Sequence, residues 1–187
     1  MAPLIIVSGP SGCGKTTILR HLLQEGAWPM RLSVSATTRA KRPKETDGVD
    51  YHFWTVADFL KEKDADGFLE WAKVHDNYYG TLVREVTPFR ENGVGVLLDI
   101  DVQGAALVRQ RCPDAVSIFV RTSRFETLEE RLRARHTESE PAIQKRLANA
   151  RAELARAGEY QHQVINDDLE TAFVSMRAIL GPLFPKE

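Results

Sequence analysis

The chain has 187 residues, which is long enough for a substantial buried core and typical of one globular unit with small subdomains. Its 25 Lys and Arg residues nearly balance 26 Asp and Glu residues, so the net charge favours neither nucleic acid nor a membrane surface, and no apolar run reaches membrane-spanning length. The two cysteines, Cys13 and Cys112, argue against a disulfide framework, and no secretory segment precedes the first predicted strand; we therefore expect a cytoplasmic protein.

A phosphate-binding loop is the first motif in the chain. Residues 9–16 read as glycine, four residues, and then glycine, lysine and threonine, directly after the apolar run 4–7, which predicts a buried strand. The glycines let backbone N–H groups turn toward an anion, Lys15 supplies charge for the outer phosphates, and the Thr16 hydroxyl is placed to ligate magnesium. Apolar spacing then predicts a helix from Lys15 to near Gly26. Strand, loop and helix together predict a nucleoside triphosphate site.

The patterning between residues 31 and 93 is less regular. The predicted elements are a strand at 31–36, extended segments at 51–54 and 68–74, a helix at 57–63, and a helix that begins near Thr81 and ends before Gly93. Pro88 falls inside the last of these helices, where a proline is unfavourable. This irregular region predicts a lobe inserted near residues 35–90.

A basic loop opens this region. Arg39 and Arg42 lie in a segment with no acidic residue between positions 37 and 44. Planar guanidinium groups bind phosphate oxygens in pairs, which suits a second phosphorylated ligand. A solvated basic loop explains the same residues equally well at this point.

Glu70 occupies an unusual position for a carboxylate. Alternation along the predicted strand places it on the same face as Phe68 and Val74. A carboxylate on an apolar face must find hydrogen-bond donors or lose its charge. The Watson–Crick edge of guanine presents two such donors, whereas adenine presents an acceptor there. Asp101 is a candidate for a similar role, and a surface strand also explains Glu70.

The second half of the chain alternates strands and helices. The predicted strands are 94–101, 115–120 and 164–165, and the predicted helices include 103–111, 143–154 and 169–180. Another helix is predicted to start at residues 123–126, which have the spacing of a capping box. Such alternation is typical of a parallel three-layer α/β sheet. The sequence has no Asn-Lys-x-Asp element of a guanine-specific GTPase, no zinc-ligand spacing and no Gly-x-Ser-x-Gly motif of a hydrolase.

Seven short blocks, taken in order, resemble the guanylate kinase family along nearly the whole chain. They are residues 9–15, 35–39 with Arg42, 51–53, 68–72, 77–81, 99–104 and 164–168. The resemblance implies an α/β class fold: a three-layer P-loop nucleoside-monophosphate kinase fold with a parallel core sheet, an inserted GMP-binding lobe and a helical lid. The P-loop core would comprise residues 1–34, 93–123 and 161–187, the GMP-binding lobe residues 35–92, and the lid residues 124–160.

The same resemblance assigns roles to individual positions. The implied ATP-binding residues are Ser11, Gly12, Cys13, Gly14, Lys15, Thr16, Thr17, Arg131 and Arg135. The implied GMP-binding residues are Ser35, Arg39, Arg42, Tyr51, Glu70, Tyr79, Thr81 and Asp101. The implied catalytic residues are Lys15, Arg39, Arg135 and Arg146. Thr16 would ligate Mg²⁺ directly and Asp99 through water. The chain departs mildly from the family at Cys13, a variable loop position, and at His136, where glycine is common.

The implied activity is Mg²⁺-dependent transfer of the γ-phosphoryl group of ATP to GMP, and also to dGMP, giving ADP and GDP in purine nucleotide metabolism. The implied partners are these nucleotides, with no nucleic acid and no membrane, and the implied assembly is a monomer or a small homo-oligomer. Two alternatives are a guanylate-kinase-like interaction module without catalysis and a related kinase for a phosphorylated sugar. Intact Lys15 and Thr16 argue against the first alternative, and the base-reading set argues against the second.

Overall fold

The computed structural model describes residues 1–74, 76–134 and 139–185, which form two β-sheets with helices packed against them. The strands are β1 (Leu4–Ser8), β2 (Met30–Leu32), β3 (Ala36–Thr37), β4 (His52–Phe53), β5 (Phe68–Val74), β6 (Asn77–Leu82), β7 (Gly95–Asp99), β8 (Val116–Arg121) and β9 (His162–Ile165). The α-helices are α1 (Lys15–Glu25), α2 (Val56–Asp64), α3 (Thr87–Glu91), α4 (Val102–Arg111), α5 (Phe125–Arg133), α6 (Glu140–Leu154) and α7 (Leu169–Leu180).

The larger sheet is parallel and has the strand order β2-β7-β1-β8-β9. Strand β1 lies at its centre, and its residues alternate between two hydrophobic clusters. Ile5 packs in the cluster that contains α1 and α7, whereas Ile6 packs in the cluster that contains α4. Burial on both faces explains why β1 is a continuous apolar run rather than an alternating one. The predicted three-layer α/β core is confirmed.

The smaller sheet has the order β4-β3-β6-β5 and lies between β2 and α3 in the sequence. It packs around its own small cluster, in which the rings of Phe59 and Phe68 stack with centroids 4.4 Å apart. The predicted single strand at 31–36 is wrong, because β2 ends at Leu32 in the larger sheet and Ala36 begins β3 in the smaller one. The chain therefore crosses from one sheet to the other within these residues.

The helix predicted from near Thr81 is also wrong at its start. Thr81 lies in β6, where antiparallel pairing with Glu70 of β5 holds the backbone extended. Tertiary pairing here overrides the local pattern, as it commonly does for short segments. The helix begins only at Thr87, so Pro88 falls in its first turn, where a missing N–H breaks no hydrogen bond.

Helices α5 and α6 cover most of the segment predicted as a lid. Their apolar residues, including Leu132 and Ile143, belong to the same cluster as Val7 of β1. The predicted capping box at the start of α5 is wrong: its N-cap is Arg124 without a side-chain bond, and the Ser123 N–H donates instead to Asp167 Oδ1 at 2.9 Å. Residues 135–138 lie outside the described residues, and none of the described helices combines the length and apolar character needed to cross a membrane.

Candidate active site

The phosphate loop joins β1 to α1 in a conformation that requires glycine. Gly9 and Gly14 have φ values of 148° and 91°, which side chains rarely allow. A Cβ atom would lie 2.0 Å from the Val120 carbonyl oxygen at Gly9 and 2.2 Å from Asn166 Nδ2 at Gly14. Asn166 Nδ2 donates to the Cys13 carbonyl oxygen at 2.7 Å and so fastens the loop to the end of β9. The sequence analysis gave Asn166 no role, although it lies within the 164–168 block.

Lys15 starts α1 beneath this loop, and its Nζ donates to the Gly9 carbonyl oxygen. Desolvation opposes the Lys15 charge, but the nearby carboxylates of Asp99 and Glu153 favour it, and the net effect raises the Lys15 pKa. The lysine is therefore a half-buried cation held against the backbone of the phosphate loop. Cys13 is fully buried within the loop, while Thr16 and Thr17 are exposed in the first turn of α1. The loop residues predicted to bind a triphosphate thus lie together at the start of α1.

One cavity of about 290 Å³ extends from the phosphate loop to the smaller sheet. At one end it is lined by Gly9, Ser11 and Lys15. At the other end it is lined by five of the predicted GMP-binding residues, which are Ser35, Tyr51, Glu70, Tyr79 and Asp101. The fold therefore brings residues from distant parts of the chain into one cleft.

Glu70 is held in this cavity by Thr81. The Thr81 backbone N–H and hydroxyl both donate to Glu70 Oε1, at 3.1 and 2.7 Å, so Oε2 is directed elsewhere. Only 6% of Glu70 is exposed, and this burial raises the pKa of its carboxyl to about 7 despite the Thr81 bonds. Donors on a bound ligand would favour the ionised form. Thr81 thus contributes to the site by orienting the Glu70 carboxylate.

Asp101 faces the same cavity from the end of the larger sheet. Its Oδ1 accepts from the backbone N–H groups of Gln103 and Gly104, at 2.7 and 2.9 Å, and so caps the N-terminus of α4. The cap uses one carboxylate oxygen and fixes the side chain beside Glu70. Two carboxylates therefore border the space where a base with hydrogen-bond donors would fit.

The predicted phosphate-binding arginines lie at the edge of the smaller sheet. Arg39 forms a two-point contact with Glu45, with Nη1 to Oε2 at 3.0 Å and Nη2 to Oε1 at 2.8 Å. Arg39 Cζ also lies 5.5 Å from the centroid of the Tyr51 ring, which in turn lies 6.1 Å from the Tyr79 ring. Arg42 is exposed and donates its backbone N–H to Glu45 Oε2 at 2.8 Å.

Glu45 is the main functional residue that the sequence analysis missed. Glu45 directly follows the acid-free part of the basic loop. Its position three residues after Arg42 was the signal that the sequence offered. The hydrogen bonds from Arg39 hold the pKa of Glu45 at about 2, well below its usual value. The Arg39 guanidinium is therefore oriented by a neighbouring carboxylate, whereas Arg42 is exposed and contributes its backbone N–H to the same carboxylate.

Replacing Glu45 with glutamine is expected to raise the KM for GMP about tenfold, because a charge-assisted two-point contact that orients Arg39 becomes a weaker neutral one. The KM for ATP and the melting temperature should change little, since the hydrogen bonds of Glu45 go to Arg39 and Arg42 and not to a described residue of the phosphate loop. Steady-state kinetics with each substrate varied in turn measure both effects. A lower KM for GMP would contradict the orienting role, because it would mean that the carboxylate competes with the phosphate.

The α5 and α6 helices bring further arginines to the phosphate loop. Arg131 donates from Nη1 to the Asn166 carbonyl oxygen at 2.7 Å and from Nη2 to that of Asp167 at 3.0 Å. Arg146 donates from Nη2 to the Ser11 hydroxyl oxygen. Arg135, which was predicted as an ATP-binding and catalytic residue, lies outside the described residues, as does His136.

The candidate magnesium ligands Thr16 and Asp99 both line a second cavity of about 490 Å³ beside α1. Hydroxyl and carboxylate oxygens are the ligand types that Mg²⁺ prefers when nucleotide phosphates and water complete its shell. The buried Ser33 hydroxyl, which belongs to the same cavity, has no hydrogen-bond partner among the described residues. The oxygen atoms of Thr16, Asp99 and Ser33 in this partly apolar cavity suit a hydrated magnesium ion.

Comparison with known proteins identifies the family. The guanylate kinase family model matches residues 1–182. The chain is 45% identical to a guanylate kinase of Rickettsia bellii, covering 95% of this chain and 92% of that protein. It is 49% identical to guanylate kinase 1 of Oryza sativa subsp. japonica over 95% of this chain, but it spans only 47% of that longer relative.

A solved structure agrees with these matches. The crystal structure of guanylate kinase from Anaplasma phagocytophilum superposes with a TM-score of 0.78 at 28% sequence identity, and the match covers 99% of this chain and 87% of that chain. The fold, the phosphate loop and the sequence matches therefore point to the same conclusion. The chain belongs to the guanylate kinase family of enzymes.

Proposed function

We propose that this guanylate kinase transfers the γ-phosphoryl group of ATP to GMP, and also to dGMP, giving ADP and GDP in cytoplasmic purine nucleotide metabolism. The observation that carries the proposal is the single cavity that joins the phosphate loop to a pocket bordered by two carboxylates. Such a cavity would let the phosphates of two nucleotides meet near Lys15.

The reaction needs cations rather than a catalytic base. A phosphate monoester has a second pKa of about 6, so the attacking phosphate oxygen of GMP is already anionic at neutral pH. The task for the protein is to bring two polyanions together and to stabilise the charge that spreads over the transferring group. Lys15 in the phosphate loop, Arg39 in the lobe and Arg146 at Ser11 supply positive charge from three sides, and Arg135 would add to them.

Recognition of guanine follows from the carboxylates. The N1–H and 2-amino groups of guanine are donors, and Glu70 and Asp101 offer acceptors at the wall of the cavity. Ser35 lines the same cavity, and the fully buried Thr81 holds Glu70 in place. The acceptor phosphate would then contact Arg39, Arg42, Tyr51 and Tyr79.

When bound, Mg²⁺ would supply positive charge that neutralises the charge of the phosphate groups. The Thr16 hydroxyl would ligate it directly and the Asp99 carboxylate would hold it through water. Both groups line the same cavity beside α1, which supports this assignment. The residues that bind ATP would otherwise be the loop residues Ser11 to Thr17 together with Arg131 and Arg135.

The chain would work as three parts that close on each other. The proposed core is residues 1–34, 93–123 and 161–187, the proposed GMP-binding lobe is residues 35–92, and the proposed lid is residues 124–160. Closure would exclude water, which would otherwise accept the phosphoryl group. The Arg146 contact with Ser11 supports a lid that reaches the phosphate loop.

A coupled ADP-release assay tests the proposal with GMP, AMP, CMP, UMP and ribose phosphates as acceptors. We expect rapid turnover with GMP, and Mg²⁺ removal with a chelator should abolish it. Lys15→Ala serves as the inactive control for contaminating kinases. No turnover with GMP would overturn the proposal in favour of an interaction module, and a preference for a ribose phosphate would favour a sugar-phosphate kinase.

A further inference from the structure

Helix α4 begins directly beside the Glu70 carboxylate. A Cβ atom built on Gly104, the third residue of this helix, would lie 2.8 Å from Glu70 Oε2 and 3.1 Å from its carboxyl carbon. The first of these distances is shorter than real Cβ contacts allow. The carboxylate therefore occupies the space that any side chain at position 104 would fill.

Glu70 has little room to move away from this helix. Its other carboxylate oxygen accepts two hydrogen bonds from Thr81 of the neighbouring strand, at 3.1 and 2.7 Å. A shift away from Gly104 would strain or break these bonds. The position of the carboxylate is thus set on one side by Thr81 and on the other side by the bare backbone of α4.

Among the described residues, the three atoms nearest to a Cβ atom at position 104 all belong to Glu70. The residue is not among the glycines with positive φ, so its backbone conformation is open to any L-amino acid. Its N–H, which donates to Asp101 Oδ1 at 2.9 Å, would be present in alanine as well. Glycine inside a helix is less favourable than alanine, so this position carries a cost without a backbone reason.

We propose that Gly104 is a positioning residue for guanine recognition, whose missing side chain lets the Glu70 carboxylate stand against α4 and face the base. The inference rests on the proposed function, because Gly104 of the core helix would fix the position of the Glu70 carboxylate, which belongs to the proposed GMP-binding lobe. A methyl group at position 104 pushes Glu70 Oε2 out of line with the guanine donors. It leaves the phosphate loop untouched.

The test is Gly104→Ala, measured for stability and for each substrate separately. We expect a melting temperature close to that of the wild-type chain, because the gain from alanine in a helix offsets the strain on the Thr81–Glu70 hydrogen bonds. The KM for GMP should rise by about 30-fold to 100-fold, as expected for misaligned buried polar groups. The KM for ATP should stay within about twofold, the variation expected of a variant that leaves the phosphate loop untouched.

A second readout separates positioning from general damage. IMP lacks the 2-amino group, so the ratio of kcat/KM for GMP over IMP reports how well the carboxylates read the base. This ratio should fall in Gly104→Ala. The double variant Gly104→Ala/Glu70→Asp should have a higher kcat/KM for GMP than Gly104→Ala alone, because the shorter aspartate makes room for the methyl group.

Gly158→Ala is the matched control, since a Cβ atom there meets nothing within 4 Å and its φ is not positive. It should leave the KM for GMP and the GMP/IMP ratio unchanged. An unchanged KM for GMP in Gly104→Ala would overturn the positioning role, and so would a lowered melting temperature with both KM values raised. If the wild-type chain does not phosphorylate GMP, the proposed function itself fails, so the two failures are distinguishable.

Discussion

AMP is expected to be phosphorylated with a kcat/KM about 10⁴-fold below that for GMP, because a site built to pair with a donor strongly rejects a ligand that lacks it. Glu70 and Asp101 present acceptor oxygens to the base, and adenine presents an acceptor at the same edge. Binding AMP would leave these carboxylates without donors inside a cavity in which Glu70 is only 6% exposed. Such unpaired burial is the energetic source of the discrimination.

The comparison requires AMP free of contaminating GMP and a fixed saturating concentration of ATP. The same preparation of Lys15→Ala sets the background from other kinases. CMP and UMP provide further acceptors with the same phosphate, so that the phosphate-binding arginines contribute equally throughout. Turnover of AMP within tenfold of GMP would mean that the two carboxylates do not read the base.

Arg146→Ala is expected to lower turnover by about two to three orders of magnitude, the range found when a preorganised donor to the transition state is removed. The guanidinium of Arg146 reaches the Ser11 hydroxyl at the phosphate loop from helix α6. Its charge is therefore delivered by the proposed lid to the place where the phosphoryl group moves. The KM for GMP should stay within severalfold, because the base-reading pocket lies at the other end of the cavity.

Lys145→Ala is the matched control for this variant, since Lys145 is the exposed neighbour of Arg146 on the same helix. It removes one positive charge from α6 without removing a contact to the phosphate loop. Its turnover should stay close to that of the wild-type chain. Near-normal turnover in Arg146→Ala, or an equal loss in both variants, would remove Arg146 from the catalytic residues.

The local parts of the site were predictable from sequence. The apolar run of β1, the glycine spacing of the loop and the helix from Lys15 to Glu25, followed by Gly26 at its C-cap, are all present. Each depends on neighbouring residues alone, through strand burial, glycine conformation and helix periodicity. Strand alternation also placed Glu70 on the face of Phe68, as one of two alternatives that the sequence left open, and both residues are buried.

The parts that sequence reasoning missed depend on distant pairing. Thr81 is extended because β6 pairs with β5, and no local pattern shows this. Asn166 contacts the phosphate loop only because the end of β9 meets it. Glu45 is the exception, since it lies only six residues from Arg39 and its contact depends on how the basic loop folds back. Gly104 is unremarkable in the sequence until Glu70 is seen beside it. Contacts that join remote segments carry no periodic signal.

Calorimetric titration of Glu70→Gln with GMP and, separately, with ATP tests the central claim that a buried carboxylate reads the guanine. Glutamine keeps the shape and one acceptor oxygen for Thr81 but replaces the other oxygen with a donor amide. The account predicts that the Kd for GMP rises by about 100-fold or more, because a donor then faces a donor, while the Kd for ATP is unchanged. Equal weakening of both nucleotides, or an unchanged Kd for GMP, would contradict it.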